Sequence, residues 1–331
     1  MTEATSSEQL LAEANKPSKS RGFLKDFVVR LFREKPLGAF GAIIFLILLL
    51  TGIFADFIAT EGYNVIHPLD RLKPPGGEFT YMDADFNKHK GTYWLGSDQL
   101  GRDVFSRIVY GARISVIIAF SATTLSIVIS IGLGLAAGFF GGRIDMASQR
   151  FVDAWMSFPD LIILIVAVSI LGPGMWQVIL VLGLLYGIAG SRIVRGAVLS
   201  TKENMYVHAA QSIGASTGRI LFRHILPNIM APVIVLFTTR LAAVILAESG
   251  LSFLGLGIPP PAPSWGGMLS IEGKSYMFHA PWLAILPGVA LTIVVYGINM
   301  FGDALRDLLD PRLRGGGGRY GGGKSKSKRR T

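Results

Sequence analysis

The chain has 331 residues, half of them apolar, a mean hydropathy of +0.48, no cysteine and a formal net charge of +10. Apolar runs that reach the ~20 residues needed to cross a bilayer exclude an ordinary soluble protein. Without cysteine there are no disulfides, iron–sulfur clusters or thiolate zinc sites, and the five histidines lack metal-ligand spacing, so no metal site is expected.

The first twenty residues are polar, are expected to be disordered, and lack the apolar core and cleavage site of a signal peptide. From Arg21 to Arg33, Phe23, Phe27 and Leu31 interleave with Lys25, Arg30 and Arg33. That is the pattern of a basic amphipathic helix lying along a membrane surface. A first span is expected at 37–59, followed by the polar stretch Thr60–Gly111. Near the end of that stretch Asp98 is a candidate helix cap. Leu100, Val104 and Ile108 share a face, and Asp103 and Arg107 stand at i,i+4.

Span 2, at 114–140, carries Gly134-x-x-x-Gly138, and span 4, at 176–199, carries Gly183-x-x-x-Gly187. Both are small-residue motifs that let helices approach closely. Between them a short loop, Gly141–Asp153, leads to span 3 at 154–171, opened by Phe158-Pro159-Asp160. Arg192 and Arg195, in span 4, can snorkel to the inner surface.

Lys202–Asn228 is the longest polar interruption in the second half of the chain. Tyr206, Ala209, Ala210 and Ile213 recur at i, i+3, i+4 and i+7, giving a short amphipathic helix. Ala209, Ala210 and Gly214 are small enough to let another surface approach the backbone. Ser216 or Thr217 can cap a second short helix through Phe222, with Pro227 blocking its continuation. Periodicity alone fits a packed loop as well as a docking element.

Span 5, at 229–251, has Arg240 near its middle and Glu248 nearer its far end. Exposed to lipid, a charge at that depth costs about 2.5–3.5 kcal/mol, so Arg240 should face a water-lined path or a partner span. The proline-rich run 258–266 cannot be helix. Span 6, at 282–304, ends near Asn299 and Asp303, read as inner-interface residues. Lysine and arginine placement puts both termini and the 202–228 loop inside, with 60–111 and 257–281 outside. Gly318–Ser325 matches the phosphate-loop expression letter for letter. It has no strand before it or helix after it, and the composition of a disordered Gly/Lys-rich tail, 315–331, explains the match. That tail can touch anionic lipid.

Five separated blocks carry a resemblance. They are Ala209-Ala210 with Gly214 and Ile225-Leu226-Pro227, then the strings Asp98–Ser115, Ala247–Gly266, Ala280–Gly288 and Phe301–Arg314. Together they resemble ABC-importer permeases, and in particular the C-type subunit of dipeptide, oligopeptide and nickel importers. The resemblance implies an all-α integral membrane protein with six transmembrane helices in the type I ABC-importer permease fold. Residues 1–34 would be a cytoplasmic tail and elbow helix, 35–112 the first span with an extracytoplasmic segment, and 113–314 a five-span core whose coupling loop is 200–228.

In such permeases the loop inserts a coupling helix into a groove on the ATPase. Carried over, this makes Tyr206, His208, Ala209, Ala210, Gly214, Ile225, Leu226 and Pro227 coupling residues. His208 stands where the family has glutamate, which departs from the family's polar contact. Arg240, Glu248 and Asn299 are candidates for the path or for a subunit contact. No catalytic residue is expected, and ATP and Mg would sit on partner ATPase subunits. The implied partners are a homologous second permease, two ATPase subunits or domains, an extracytoplasmic binding protein and membrane lipid, with no nucleic acid. The implied place is a bacterial or archaeal plasma membrane, both termini cytoplasmic, and the implied cargo is di- or oligopeptides. A self-contained secondary transporter or channel is the alternative, though the internal repeat it would show is not found. An intramembrane enzyme lacks paired catalytic groups at a sensible depth.

Overall fold

The computed structural model describes residues 23–82 and 88–309. Helix α1, Phe23–Glu34, leads through Lys35 into α2, Pro36–Ile53, whose proline sits in the first turn, where its missing N–H is not needed. A two-stranded antiparallel hairpin follows, β1 Gly77–Met82 and β2 Lys88–Tyr93. Then come α3 Val104–Phe140, α4 Gly142–Met156, α5 Asp160–Leu171, α6 Met175–Lys202 and the short α7 Met205–Ser212. Two long helices complete the bundle, α8 Met230–Phe253 and α9 Trp282–Leu309.

Five helical stretches are long and apolar enough to cross a membrane: α2, α3, α6, the run 217–253 that contains α8, and α9. A sixth candidate is the pair α4 and α5, which meet at an 85° bend and reach the length of a span only if counted together. Here the structure corrects the sequence reading, because 142–153 is helix rather than loop and only α5 falls within the apolar part of span 3. Arg143, Asp145, Arg150 and Asp153 keep α4 out of an apolar layer. Pro159 then breaks the helix, since its ring excludes the preceding turn and biases Phe158 away from helical backbone. The 12 residues of α5 rise about 18 Å, short of a ~30 Å hydrocarbon layer.

The two glycine motifs are reciprocal. A methyl group at Gly134 would come within 2.6 Å of Val194, and one at Gly138 within 2.8 Å of Val198. Facing them, Gly183 and Gly187 leave room for Leu125 and Ile129. Lipid tails are as apolar as the side chains, so close van der Waals packing of this kind holds α3 to α6. Gly38 and Gly41 of α2 admit Ala304 and Phe301 of α9 in the same way. On the free side of α2, Leu31 and Phe27 of α1 pack on Ala304 and Leu308, and Lys35 pairs with Asp307 at 2.6 Å.

Around the hairpin the polar groups are largely buried and paired. Asp103 caps α3, accepting from the N–H groups of Phe105 and Ser106 and from the hydroxyls of Thr60 and Ser106. Asp98 is therefore not the helix cap. It is fully buried and accepts from the N–H groups of Leu100 and Arg102 and from Arg102 Nε at 2.6 Å. The expected Asp103–Arg107 pair does not form either, because the Asp103 oxygens are taken by the cap and by Thr60. Arg107 instead reaches Glu272 at 3.1 Å, beside Arg102 at 2.7 Å. Burial pushes the Glu272 carboxyl up, opposed by the two guanidinium groups. Glu272 lies in the helical turns 265–276, which begin at Trp265 and Gly266, inside the run 258–266 expected to be non-helical. Trp265 and Trp282 tie these turns back, donating to the carbonyls of Ile108 and Ser97. At the foot of this module Asp56 accepts from Arg113 at 2.8 and 3.0 Å, which holds its carboxyl below the usual range.

Candidate functional site

The end of the bundle opposite the hairpin carries α7. Lys202 ends α6 by donating to the Phe139 carbonyl at 2.8 Å, and the Asn204 side chain donates to Thr201. The eight residues of α7 then lie across the bundle end. Val207 and Ala210 are buried against Leu135, Val194, Val198, Ile220, Ile225 and Ile229. The opposite face has no partner among the described residues: Met205 is 88% exposed, Ile213 84% and Tyr206 42%. Ala209 and His208 are exposed beside them. The predicted stripe is thus divided, with Ala210 facing inward and Tyr206, Ala209 and Ile213 facing out.

Gly214 has a backbone role in addition to the one its size suggested. Its φ is +75° and open space surrounds the position where a Cβ would stand. Its N–H donates to Gln211 and that of Ala215 to Ala210, the paired bonds of a Schellman helix end. Left-handed backbone by itself favours a glycine here, apart from any close approach its size allows.

Beyond it, neither Ser216 nor Thr217 caps through its side chain. Pro227 does not end a helix here. A π-helical turn, Ile220–Ile225, and a 3₁₀ turn, Leu226–Ile229, carry the chain directly into α8. Widening to i→i+5 bonds before the proline removes the clash that a regular α-turn would impose. Ile225 is wholly buried and anchors the segment, Leu226 is half-buried and Pro227 is exposed.

Of the three membrane-depth candidates, Arg240 lies on α8 with its guanidinium carbon 4.7 Å from the centre of the Tyr186 ring. It forms no ion pair among the described residues, and its Nε is buried without an acceptor. Glu248 is 1% exposed and is held by its own chain, accepting from Ser252 at 2.7 Å and Ser249 at 3.4 Å. Asn299 is exposed on α9. The structure does not bring these three together.

Two links were missed by the sequence reading. Arg195 grips Asp145 at 2.5 and 2.6 Å, and Arg192 pairs with Asp153, so both arginines bind α4 to α6. The available signal was two acids and two arginines on facing polar edges. Among the described residues no group of three or more His, Asp and Glu could hold a metal ion. The phosphate-loop match at 318–325 lies outside the described residues.

Comparison with known proteins places this geometry. Residues 130–315 match the family described as binding-protein-dependent transport system inner membrane component. Residues 22–75 match the N-terminal TM domain of oligopeptide transport permease C. The chain is 38% identical over 282 residues to the dipeptide transport system permease protein DppC of Alkalihalophilus pseudofirmus, covering 85% of this chain and 88% of that protein. It is 38% identical over 296 residues to the oligopeptide transport system permease protein OppC of Bacillus subtilis, covering 89% and 92%. A solved chain of the MetNI methionine ABC transporter in an inward-facing conformation superposes with a TM-score of 0.50 at 20% identity, over 62% of this chain and 96% of that one. That last likeness speaks to the fold alone. The chain belongs to the binding-protein-dependent transport system inner membrane component family, and is a multi-pass permease subunit of an ABC importer.

Proposed function

We propose that this permease forms half of the path through which di- or oligopeptides enter the cell, and that 200–228 is the segment through which ATPase subunits drive it. The observation that carries the second part is the outward face of α7. Met205, Tyr206, Ala209 and Ile213 make an apolar stripe outside the membrane bundle, on a helix whose other face is anchored by Val207 and Ala210. An anchored helix with an unpartnered face is suited to helix-in-groove docking. The peptide cargo is supported by the dipeptide and oligopeptide permeases it resembles over 85% and 89% of its length.

On this reading the partners are a homologous second permease, two ATPase subunits that hold ATP and Mg and perform the hydrolysis, and a binding protein that meets the hairpin end. The chain itself is non-catalytic. The distribution of lysine and arginine supports an orientation with both termini and α7 in the cytoplasm of a bacterium or archaeon. α1, whose Val28 and Phe32 are exposed beside Arg33, would rest on the lipid surface. Arg240 is a candidate for the path and Asn299 for the subunit contact, while Glu248 fastens its own helix to the following loop.

The test is uptake of a labelled dipeptide and a labelled longer peptide by vesicles holding the assembled transporter, ATP and loaded binding protein. Ala209→Glu, which puts a charge on the outward stripe, should abolish ATPase co-purification and uptake while the chain remains in the membrane. Uptake by this chain alone, without ATP, would establish the self-contained transporter instead.

A further inference from the structure

Arg240 is the one basic residue near the middle of α8, flanked along the helix by Phe237, Leu241 and Val244. Three other arginines of the bundle are matched: Arg113 with Asp56, Arg192 with Asp153 and Arg195 with Asp145. Arg240 has no such match among the described residues. Glu248 is turned into serines two helical turns away, and Asp160, at the start of α5, acts on it through space without contact. Its buried Nε has no acceptor, and its other N–H groups make no hydrogen bond, among the described residues. Its stem and Nε are buried, whereas its two terminal nitrogens are not sealed off.

Tyr186 explains how such a group is held. A guanidinium over an aromatic ring is attracted electrostatically through the ring face, and this leaves the N–H fork free. A permanent structural partner would occupy the fork, whereas an aromatic platform steadies the cation while the fork stands empty. A planar fork with two free terminal nitrogens matches a carboxylate, which it can bind through two parallel bonds. A cavity of about 510 Å³, lined by Val235, Leu236 and Thr239 of α8, Ile193 of α6 and Arg306 of α9, extends from the α7 end to the residue next to Arg240.

We propose that Arg240 is a carboxylate-binding residue of the translocation path, which takes the terminal carboxylate of a peptide in transit, with Tyr186 as its platform. This rests on the reading of the chain as a peptide permease. It assigns the residue a ligand class: solutes with a free carboxylate, in preference to the same solutes with that group neutralised.

The experiment uses the complete transporter, with its ATPase subunits and binding protein, in lipid vesicles. Labelled alanyl-phenylalanine and its C-terminal amide are the probes, and uptake of each is measured for the wild type and for Arg240→Gln. Both use the same binding protein, so its own preference cancels when the two acid-over-amide ratios are compared. The ratio should fall about tenfold in Arg240→Gln, the loss of one charge-assisted contact, and less in Arg240→Lys, which keeps the charge without the fork. Tyr186→Leu, which leaves the charge and removes the platform, should lower it several-fold and supplies an independent reading. An unchanged ratio in Arg240→Gln and Tyr186→Leu overturns the proposal. So does loss of the second permease on purification of Arg240→Gln, which would make the residue half of a subunit ion pair. If the wild type moves neither probe, the peptide reading fails and takes the proposal with it.

Discussion

Arg107 donates to Glu272 at 3.1 Å across 165 residues of sequence, with both side chains almost wholly buried. The pair joins the first turn of α3 to the helical turns before α9, so the hairpin module and the last loop are one structure. Arg102 shares the same carboxylate oxygen. Truncation by Glu272→Ala strips both guanidinium groups of that acceptor and should destabilise the module by about 3–5 kcal/mol. Glu272→Gln keeps an oxygen in place and should be much milder. Thermal unfolding in detergent, followed for both variants, checks this, and equal melting curves for wild type and Glu272→Ala would refute it.

The same carboxyl makes a pH prediction. Its folded pKa is raised by burial above the ordinary glutamate value of 4.5, so the folded state binds more protons than the unfolded one. Its contribution is therefore fully present below the ordinary value and is lost as the pH rises through the raised one. Wild type should lose stability relative to Glu272→Gln as the pH climbs from about 4.5 toward neutrality. A difference between the two that does not change across that range would count against the assignment.

Gly134 and Gly132, two residues apart on α3, should respond oppositely. Gly134 faces Val194 with no room for a side chain, whereas nothing lies within 4 Å of a Cβ at Gly132. Gly134→Leu should prevent α3 from seating on α6, at a cost of at least about 1–3 kcal/mol from overpacking. Gly132→Ala should be neutral or slightly stabilising. Yield of monodisperse protein after extraction distinguishes the two, and similar yields would mean that α3 and α6 do not pack as described.

Substitutions at Gly214 should rank by tolerance of left-handed backbone rather than by bulk. Asn should be mildest, Ala should cost about 1 kcal/mol, and Val should be worst. The measurement is binding-protein-stimulated ATPase activity in vesicles. His208→Ala should have little effect there, because the side chain is exposed and makes no hydrogen bond among the described residues. A ranking that followed side-chain volume, with Ala better than Asn, would make close docking the reason for the glycine.

Much of this architecture is legible from one-dimensional chemistry. Long apolar runs mark five crossings because lipid leaves the backbone no other partner, and glycines four apart mark the faces where helices meet. The third crossing was misread because hydropathy does not report direction. Pro159 turns the chain by 85°, and the charged edge of α4 passes for a loop until Arg192 and Arg195 supply its partners. At α7 the spacing 206-209-210-213 gave a helix but not which side is buried, because Val207, outside the stripe, does the anchoring. Arg107 and Glu272 were beyond reach for another reason. Their contact depends on tertiary folding of a segment whose hairpin has weak strand patterning, including three charged or polar residues at Lys88–Lys90.

α3 runs unbroken for 37 residues, about 55 Å, from the Asp103 cap beneath the hairpin to Phe140. The carbonyl next to its last residue holds Lys202, and α7 begins three residues later. Reciprocal glycines fasten this rod to α6 along its second half, so neither can slide without the other. The consequence is mechanical: on the proposed coupling role of α7, a push delivered there would arrive under the hairpin as a tilt of one stiff lever.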